Sequence, residues 1–208
     1  MTTANKITFA RIMLIPLFVM MAVYYGKSVQ RGHPHDWERW LTIFLFFVAS
    51  ASDGIDGYIA RHYNQRSRLG VVLDPIADKG LLISAIITLS FSNWTHEFPI
   101  WFPVLVITRD AVIVIGAAVL HHLNGSVDVK PSWIGKAATA TQMVAISCYL
   151  LQLDFFKTTA TIFDSTITVD FLYIPVALAG FFTLVSGFGY VMNGIRQLQA
   201  GGHGDARS

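Results

Sequence analysis

The sequence predicts an all-α integral membrane protein, a six-transmembrane-helix bundle with both termini cytoplasmic. Three observations carry that prediction. Of 208 residues, 53% are apolar and only 13% charged, where a soluble domain of this length would carry about 25% charged residues. Mean hydropathy is +0.52, and the apolar residues fall into blocks of roughly 20, the length a helix needs to cross a bilayer core. Within these blocks stand four aspartates, Asp53, Asp56, Asp74 and Asp78. A carboxylate near hydrocarbon depth costs about 2.5–3.5 kcal/mol on insertion scales, so such residues mark chemistry or ion handling.

The first span, near 7–26, follows Lys6 and Arg11 and runs apolar from Ile12 to Tyr25. No small-x-small cleavage site follows it, so it reads as a retained membrane helix rather than a signal peptide. The second span, near 40–61, carries Asp53 and Asp56. The third, near 74–92, opens on Asp74-Pro75, with proline in the first helical turn, where its missing N–H is harmless. Three further spans lie near 99–121, 136–153 and 171–195. The connections 27–39, 62–73, 93–98, 122–135 and 153–170 are short and polar. Trp37, Trp40, Trp94, Trp101 and Trp133 fall near span ends, as an interfacial aromatic belt predicts. Residues 1–199 form one membrane domain without internal repeat, and 200–208 read as a disordered tail.

Orientation follows from the basic residues. The terminal side holds Lys6, Arg11, Arg61, Arg66, Arg68, Lys79, Lys130, Lys136, Arg196 and Arg207; the other side holds Lys27, Arg31, Arg39 and Lys157. That bias places termini and aspartates at the cytoplasmic face of the cell membrane, although three basic residues in the first loop run against it. A formal charge of +2 is too small to argue for nucleic acid. The single cysteine, Cys148, permits no disulfide framework and reads as a small buried hydrophobe. The seven histidines do not assemble into a metal-ligand spacing.

Spacings of three and four place each aspartate pair on one helix face, and two such helices side by side aim four hard oxygen ligands at one place. Gly57 follows Asp56, Ala60 lies one turn on, and Gly70 precedes Asp74 by four residues. These small residues let a ligand approach the backbone, and the fork of Arg61 suits phosphate oxygens. The set describes a site for a metal-bound diphosphate. A set of helix-capping or interface aspartates is the plainer alternative. A cation or proton transporter would explain the acids but not the two glycines and Arg61.

Asp53-x2-Asp56-Gly57-x2-Ala60-Arg61-x8-Gly70-x3-Asp74-x3-Asp78 resembles the signature of the CDP-alcohol phosphatidyltransferase family at every fixed position. Eight specified residues match by chance about once in 10^10 windows at ~6% usage each. The resemblance implies six membrane helices, a homodimer, and Mg2+ or Mn2+ as two divalent cations. It implies transfer of a substituted phosphate from a CDP-linked donor to an alcohol, with release of CMP. Asp53, Asp56 and Asp74 would then be metal ligands, and Asp78, also counted in the metal set, a metal-adjacent general base. Asp56, Gly57, Ala60, Arg61 and Gly70 would hold the CDP part.

The opening Asn5-Lys6-Ile7-Thr8-Phe9-Ala10-Arg11 and the run Leu73-Asp74-Pro75 resemble the branch whose acceptors are glycerol 3-phosphate or phosphatidylglycerol. With CDP-diacylglycerol as donor, glycerol 3-phosphate is the expected acceptor. A CMP-forming cardiolipin synthase, using phosphatidylglycerol, is the alternative, favoured by Arg109-Asp110 and Lys130-Pro131-Ser132. Lys136 and Arg109 are the expected acceptor-binding residues. Lys136 also reads as a snorkelling interfacial lysine. Arg109 and Asp110, adjacent on a helix and so pointing differently, read equally as ion-pair formers with other partners.

Overall fold

The computed structural model describes residues 3–62, 68–124, 132–152, 157–162 and 165–201. Six helices carry it: α1 (Thr3–Gln30), α2 (Asp36–His62), α3 (Arg68–Phe91), α4 (Trp101–Asn124), α5 (Trp133–Leu151) and α6 (Tyr173–Gly201). Each expected span falls on one helix. α1 and α2 overrun their spans at both ends, and α3 to α6 overrun at one end and stop one or two residues short at the other. Where a helix overruns, backbone hydrogen bonding continues past the apolar block. The largest correction is at α3, which begins at Arg68 rather than Asp74. Leu69, Val71, Val72 and Leu73 extend the helix upstream, so Pro75 lies in its interior and removes one backbone donor there. A second departure follows α5. Strands β1 (Lys157–Ile162) and β2 (Ser165–Asp170) pair antiparallel, from Lys157 opposite Asp170 to Ile162 opposite Ser165, where a plain polar connection was expected. At the other terminus α6 continues to Gly201, and residues 202–208 lie outside the described ones.

Among the described residues, three helices are long and apolar enough to cross a membrane, over Lys6–Gln30, Trp101–Leu120 and Tyr173–Arg196. Acidic and basic residues interrupt α2 and α3, and Thr139, Thr141 and Gln142 dilute α5. Phe188, 69% exposed, and Val114, 68% exposed, show that these surfaces face outward. An outward apolar surface of this extent suits lipid and would aggregate in water.

The chain divides into two compact units, Met1–Pro99 with Ile146–Leu153, and Ile100–Ala145 with Asp154–Ser208. In the first, α1 packs on α2 and α3, which also touch each other. Fully buried Ala22, Ala49 and Ala85 let the helices approach closely, and Phe18 meets Phe46 with ring centroids 5.8 Å apart. Gly26 lies directly against the backbone of Ser92, so that a side chain there would collide with the Ser92 carbonyl. Trp94 departs from the expected belt. It is buried, donates Nε1–H to the Ala22 carbonyl at 3.0 Å and packs edge-on to Tyr25, whereas Trp37, Trp40, Trp101 and Trp133 are exposed. Gln152 ends α5 at φ +49°, and its side chain accepts from Arg39 at 2.8 Å and donates to Tyr25 Oη at 3.3 Å.

In the second unit α4 packs on α6. Gly180 receives the Trp101 ring: a Cβ there would lie 2.8 Å from Cζ3. Gln142 of α5 donates to Thr183 Oγ1 of α6 at 2.9 Å, an interhelical hydrogen bond of the kind that joins helices in an apolar setting.

Candidate active site

Local helix geometry positions the aspartates. Asp53 and Asp56 lie in the last three turns of α2, and Asp74 and Asp78 in the first three turns of α3. Because α1 packs on both helices and they on each other, the two pairs belong to one three-helix unit. Gly80 marks how closely α3 runs along α1: a Cβ there would sit 3.4 Å from Ile15 Cδ1.

One turn before Ile15 on α1 stands Arg11, fully buried, whose Nη1 donates to Asp53 Oδ1 in a close ion pair. A guanidinium withdrawn from water is costly unless an anion and hydrogen bonds compensate it, and Asp53 is that anion. The Asp53 side chain remains 43% exposed. Arg11 takes one of its oxygens, and the lone pairs on Oδ2 remain for other partners. Arg11 thus orients the first signature carboxylate. In the sequence it stood as a topology-setting charge and as part of the Asn5–Arg11 opening, with no partner assigned, although a basic residue inside an apolar span was itself a signal for a buried partner.

Asp78 is half-buried, and so is Lys79 beside it. The side chains of Asp56, Gly57, Ala60, Arg61, Gly70 and Asp74 lie outside the described residues, although their backbones belong to α2 and α3. Among the described residues, no three His, Cys, Asp or Glu come together. Asp53 and Asp78 do fit a hard divalent cation in donor chemistry: both offer anionic oxygen and neither is sealed from outside.

In the second unit Arg109 is 9% exposed and organises its neighbours. Nη1 donates to Asp110 Oδ1 and Nη2 to Ser186 Oγ, each at 2.7 Å. The arginine is long enough to fold back onto Asp110, so an ion pair forms within the adjacent pair itself, alongside the contact to Ser186. Its guanidinium carbon lies 5.7 Å from the Tyr190 ring centroid. Gly135 and Gly187 leave it room, since a Cβ would lie 3.4 Å from Nη2 at the first and 3.3 Å from Cγ at the second. Ser186, Gly187 and Tyr190 were not singled out in the sequence; they stand in an apolar helix without a local partner pattern. Lys136, exposed, holds its Nζ 5.6 Å from the Trp133 ring centroid, as an interfacial lysine does.

Comparison with known proteins gives these residues a family. The model of the CDP-alcohol phosphatidyltransferase family matches residues 1–185. A probable phosphatidylglycerophosphate synthase of Mycobacterium tuberculosis is 32% identical over 196 residues, covering 94% of this chain and 82% of that protein. The CDP-diacylglycerol–glycerol-3-phosphate 3-phosphatidyltransferase of Bacillus subtilis is 33% identical over 189 residues, covering 89% and 91%. The enzyme of the same name in Escherichia coli is 34% identical over 146 residues, covering 69% and 74%. The chain belongs to the CDP-alcohol phosphatidyltransferase family and is a transferase of that class.

Proposed function

We propose that this enzyme transfers the phosphatidyl group of CDP-diacylglycerol to glycerol 3-phosphate, releasing CMP and forming phosphatidylglycerophosphate. The observation that carries this reading is its likeness, over most of the chain, to relatives named for that reaction. The complete signature from Asp53 to Asp78 supports it.

In this reading Asp53, Asp56, Asp74 and Asp78 hold two divalent cations, Mg2+ or Mn2+. Such ions, when bound, neutralise the diphosphate and ease departure of CMP. Arg11 keeps Asp53 turned into the site. Gly57, Ala60 and Gly70 leave the volume that the CDP part fills, and Arg61 holds a phosphate through its planar fork. Asp78 takes the proton of the glycerol hydroxyl as its oxygen attacks the lipid-bearing phosphorus. The bond from that phosphorus to the bridging oxygen breaks, and CMP leaves with the electron pair. Lys136 and Arg109 are assigned to the acceptor phosphate. The chain crosses the cell membrane six times as a homodimer, with termini and aspartates at the cytoplasmic face.

Purified protein supplied with CDP-diacylglycerol and Mg2+ tests the acceptor. Release of CMP with glycerol 3-phosphate, and much less with phosphatidylglycerol, is expected. Release with phosphatidylglycerol alone would make it a cardiolipin-forming enzyme, and release with neither would overturn the proposal.

A further inference from the structure

At the end of α2 remote from the aspartates lies a cleft of about 470 Å³ between the last turns of α1, the 31–35 connection and the first turn of α2. Its walls are fixed. Gly32 turns the chain at φ +77°, and the His33 amide donates to the Ser28 carbonyl at 3.1 Å. The buried Ser28 hydroxyl donates to the Tyr25 carbonyl at 2.7 Å and accepts from the His35 amide at 3.3 Å.

Two features of the lining call for a ligand. Lys27, in the last turn of α1, and Arg31, just past its end, are exposed, line the cleft and make no ion pair among the described residues. Glu38, on the opposite wall, has its Oε2 buried without a hydrogen-bond partner. A buried carboxylate oxygen left unsatisfied is costly and calls for a donor. Neither His33 nor His35 supplies one, and the group does not form a metal-binding cluster. Arg39, the third basic residue of this region, donates Nη1 to Gln152 and lies over Trp40, while its Nε is buried without a partner.

Exposed Tyr24 lines the cleft, and exposed Trp37 and Trp40 lie in the same first turns of α2 as Glu38; these are residue types that settle at headgroup level. Glu38 and Asp53 are 15 residues apart, about 22 Å along a helix axis at 1.5 Å per residue. The cleft therefore belongs to the interface opposite the aspartates if α2 crosses the bilayer, and the inference rests on that part of the proposed function. It also accounts for cations on the side where the charge bias predicts few.

We infer that this cleft binds a phospholipid headgroup of the leaflet opposite the aspartates. Lys27 and Arg31 hold its phosphodiester, and Glu38 accepts a hydrogen bond from a donor at the headgroup's far end. Ethanolamine and glycerol headgroups carry such a donor; choline does not.

Native mass spectrometry of the full chain, released from detergent, tests this. Phosphatidylethanolamine, phosphatidylglycerol and phosphatidylcholine of identical acyl chains are added in turn. The wild-type protein should retain the first two about tenfold better than the third. Lys27→Ala with Arg31→Ala should lower their retention about ten- to thirtyfold. Glu38→Gln should reduce the preference over phosphatidylcholine. Equal retention of all three lipids, or no change in the double variant, overturns the inference. CMP release, measured on the same samples, should be unchanged in the double variant. A protein without transferase activity that still shows the lipid preference would fail the proposed function and leave the cleft standing.

Discussion

Replacing Arg11 by glutamine removes the buried cation that faces Asp53 and leaves the carboxylate in place. Breaking a fully buried pair from one side costs about 3–5 kcal/mol, whereas an exposed pair contributes at most about 1 kcal/mol. Arg11 is fully buried but the Asp53 side chain is 43% exposed, so the cost lies between, at about 2 kcal/mol. For a chain of this length that lowers the melting temperature by roughly 4–8 °C. The measurement is the apparent melting temperature of both proteins in detergent, once with EDTA and once with saturating Mg2+. If Asp53 is a cation ligand, bound Mg2+ supplies the charge that Arg11 no longer does. Occupancy at a hundred times Kd is worth about 2.7 kcal/mol to a folded state. Wild type gains this too, so the gap narrows only by the difference in affinity. Removing the competing cation beside Asp53 should tighten Mg2+ binding to the variant about tenfold, which at saturation narrows the gap by about 1.4 kcal/mol, more than half. An equal gap in EDTA and Mg2+ would refute the placement of Asp53 at a cation, and no gap in either would refute the energetic role of the pair.

Gly26→Ala should destabilise by about 1–3 kcal/mol or more, because backbone lies on both sides of the collision with Ser92. Gly54→Ala, whose Cβ meets nothing within 4 Å, should hold or slightly raise the melting temperature. Arg109→Lys loses the fork that reaches both Asp110 and Ser186. If Arg109 also holds the acceptor, KM for glycerol 3-phosphate should rise about tenfold with KM for CDP-diacylglycerol unchanged; a fall in melting temperature alone would make it structural. Asp78→Asn should lower turnover about 10²–10⁴-fold while CDP-diacylglycerol binding, followed by calorimetry, survives. Loss of donor binding in proportion to rate would make Asp78 a cation ligand and place the base elsewhere.

What the sequence disclosed follows from the range of the interactions involved. The aspartate pairs are local, at offsets of three and four on helices whose apolar length is visible, so their spacing could be read directly. The partner of Asp53 is 42 residues away on another helix, and no local pattern announces it. Trp94 looked interfacial by position, yet its indole N–H found the Ala22 carbonyl, a long-range contact that draws it inward. The β1–β2 hairpin did leave a trace: Thr158, Thr159, Thr161, Ile162, Thr166, Ile167, Thr168 and Val169 are β-branched and favour strand. The polarity of the threonines concealed it, since a run read for hydropathy alone looks like a loop. The early start of α3 was hidden by Pro75, which marks a helix beginning more often than an interior.

The central claim is cation-dependent transfer of a phosphatidyl group to glycerol 3-phosphate at the carboxylates of α2 and α3. Radiolabelled glycerol 3-phosphate, incubated with purified protein, CDP-diacylglycerol and Mg2+, tests it most directly when label in the organic phase and CMP in the aqueous phase are counted together. The account predicts one CMP per labelled lipid, arrest by EDTA, recovery on adding Mg2+ or Mn2+, and near-total loss in Asp53→Asn. Label entering lipid at the wild-type rate in EDTA, or in Asp53→Asn, would contradict it.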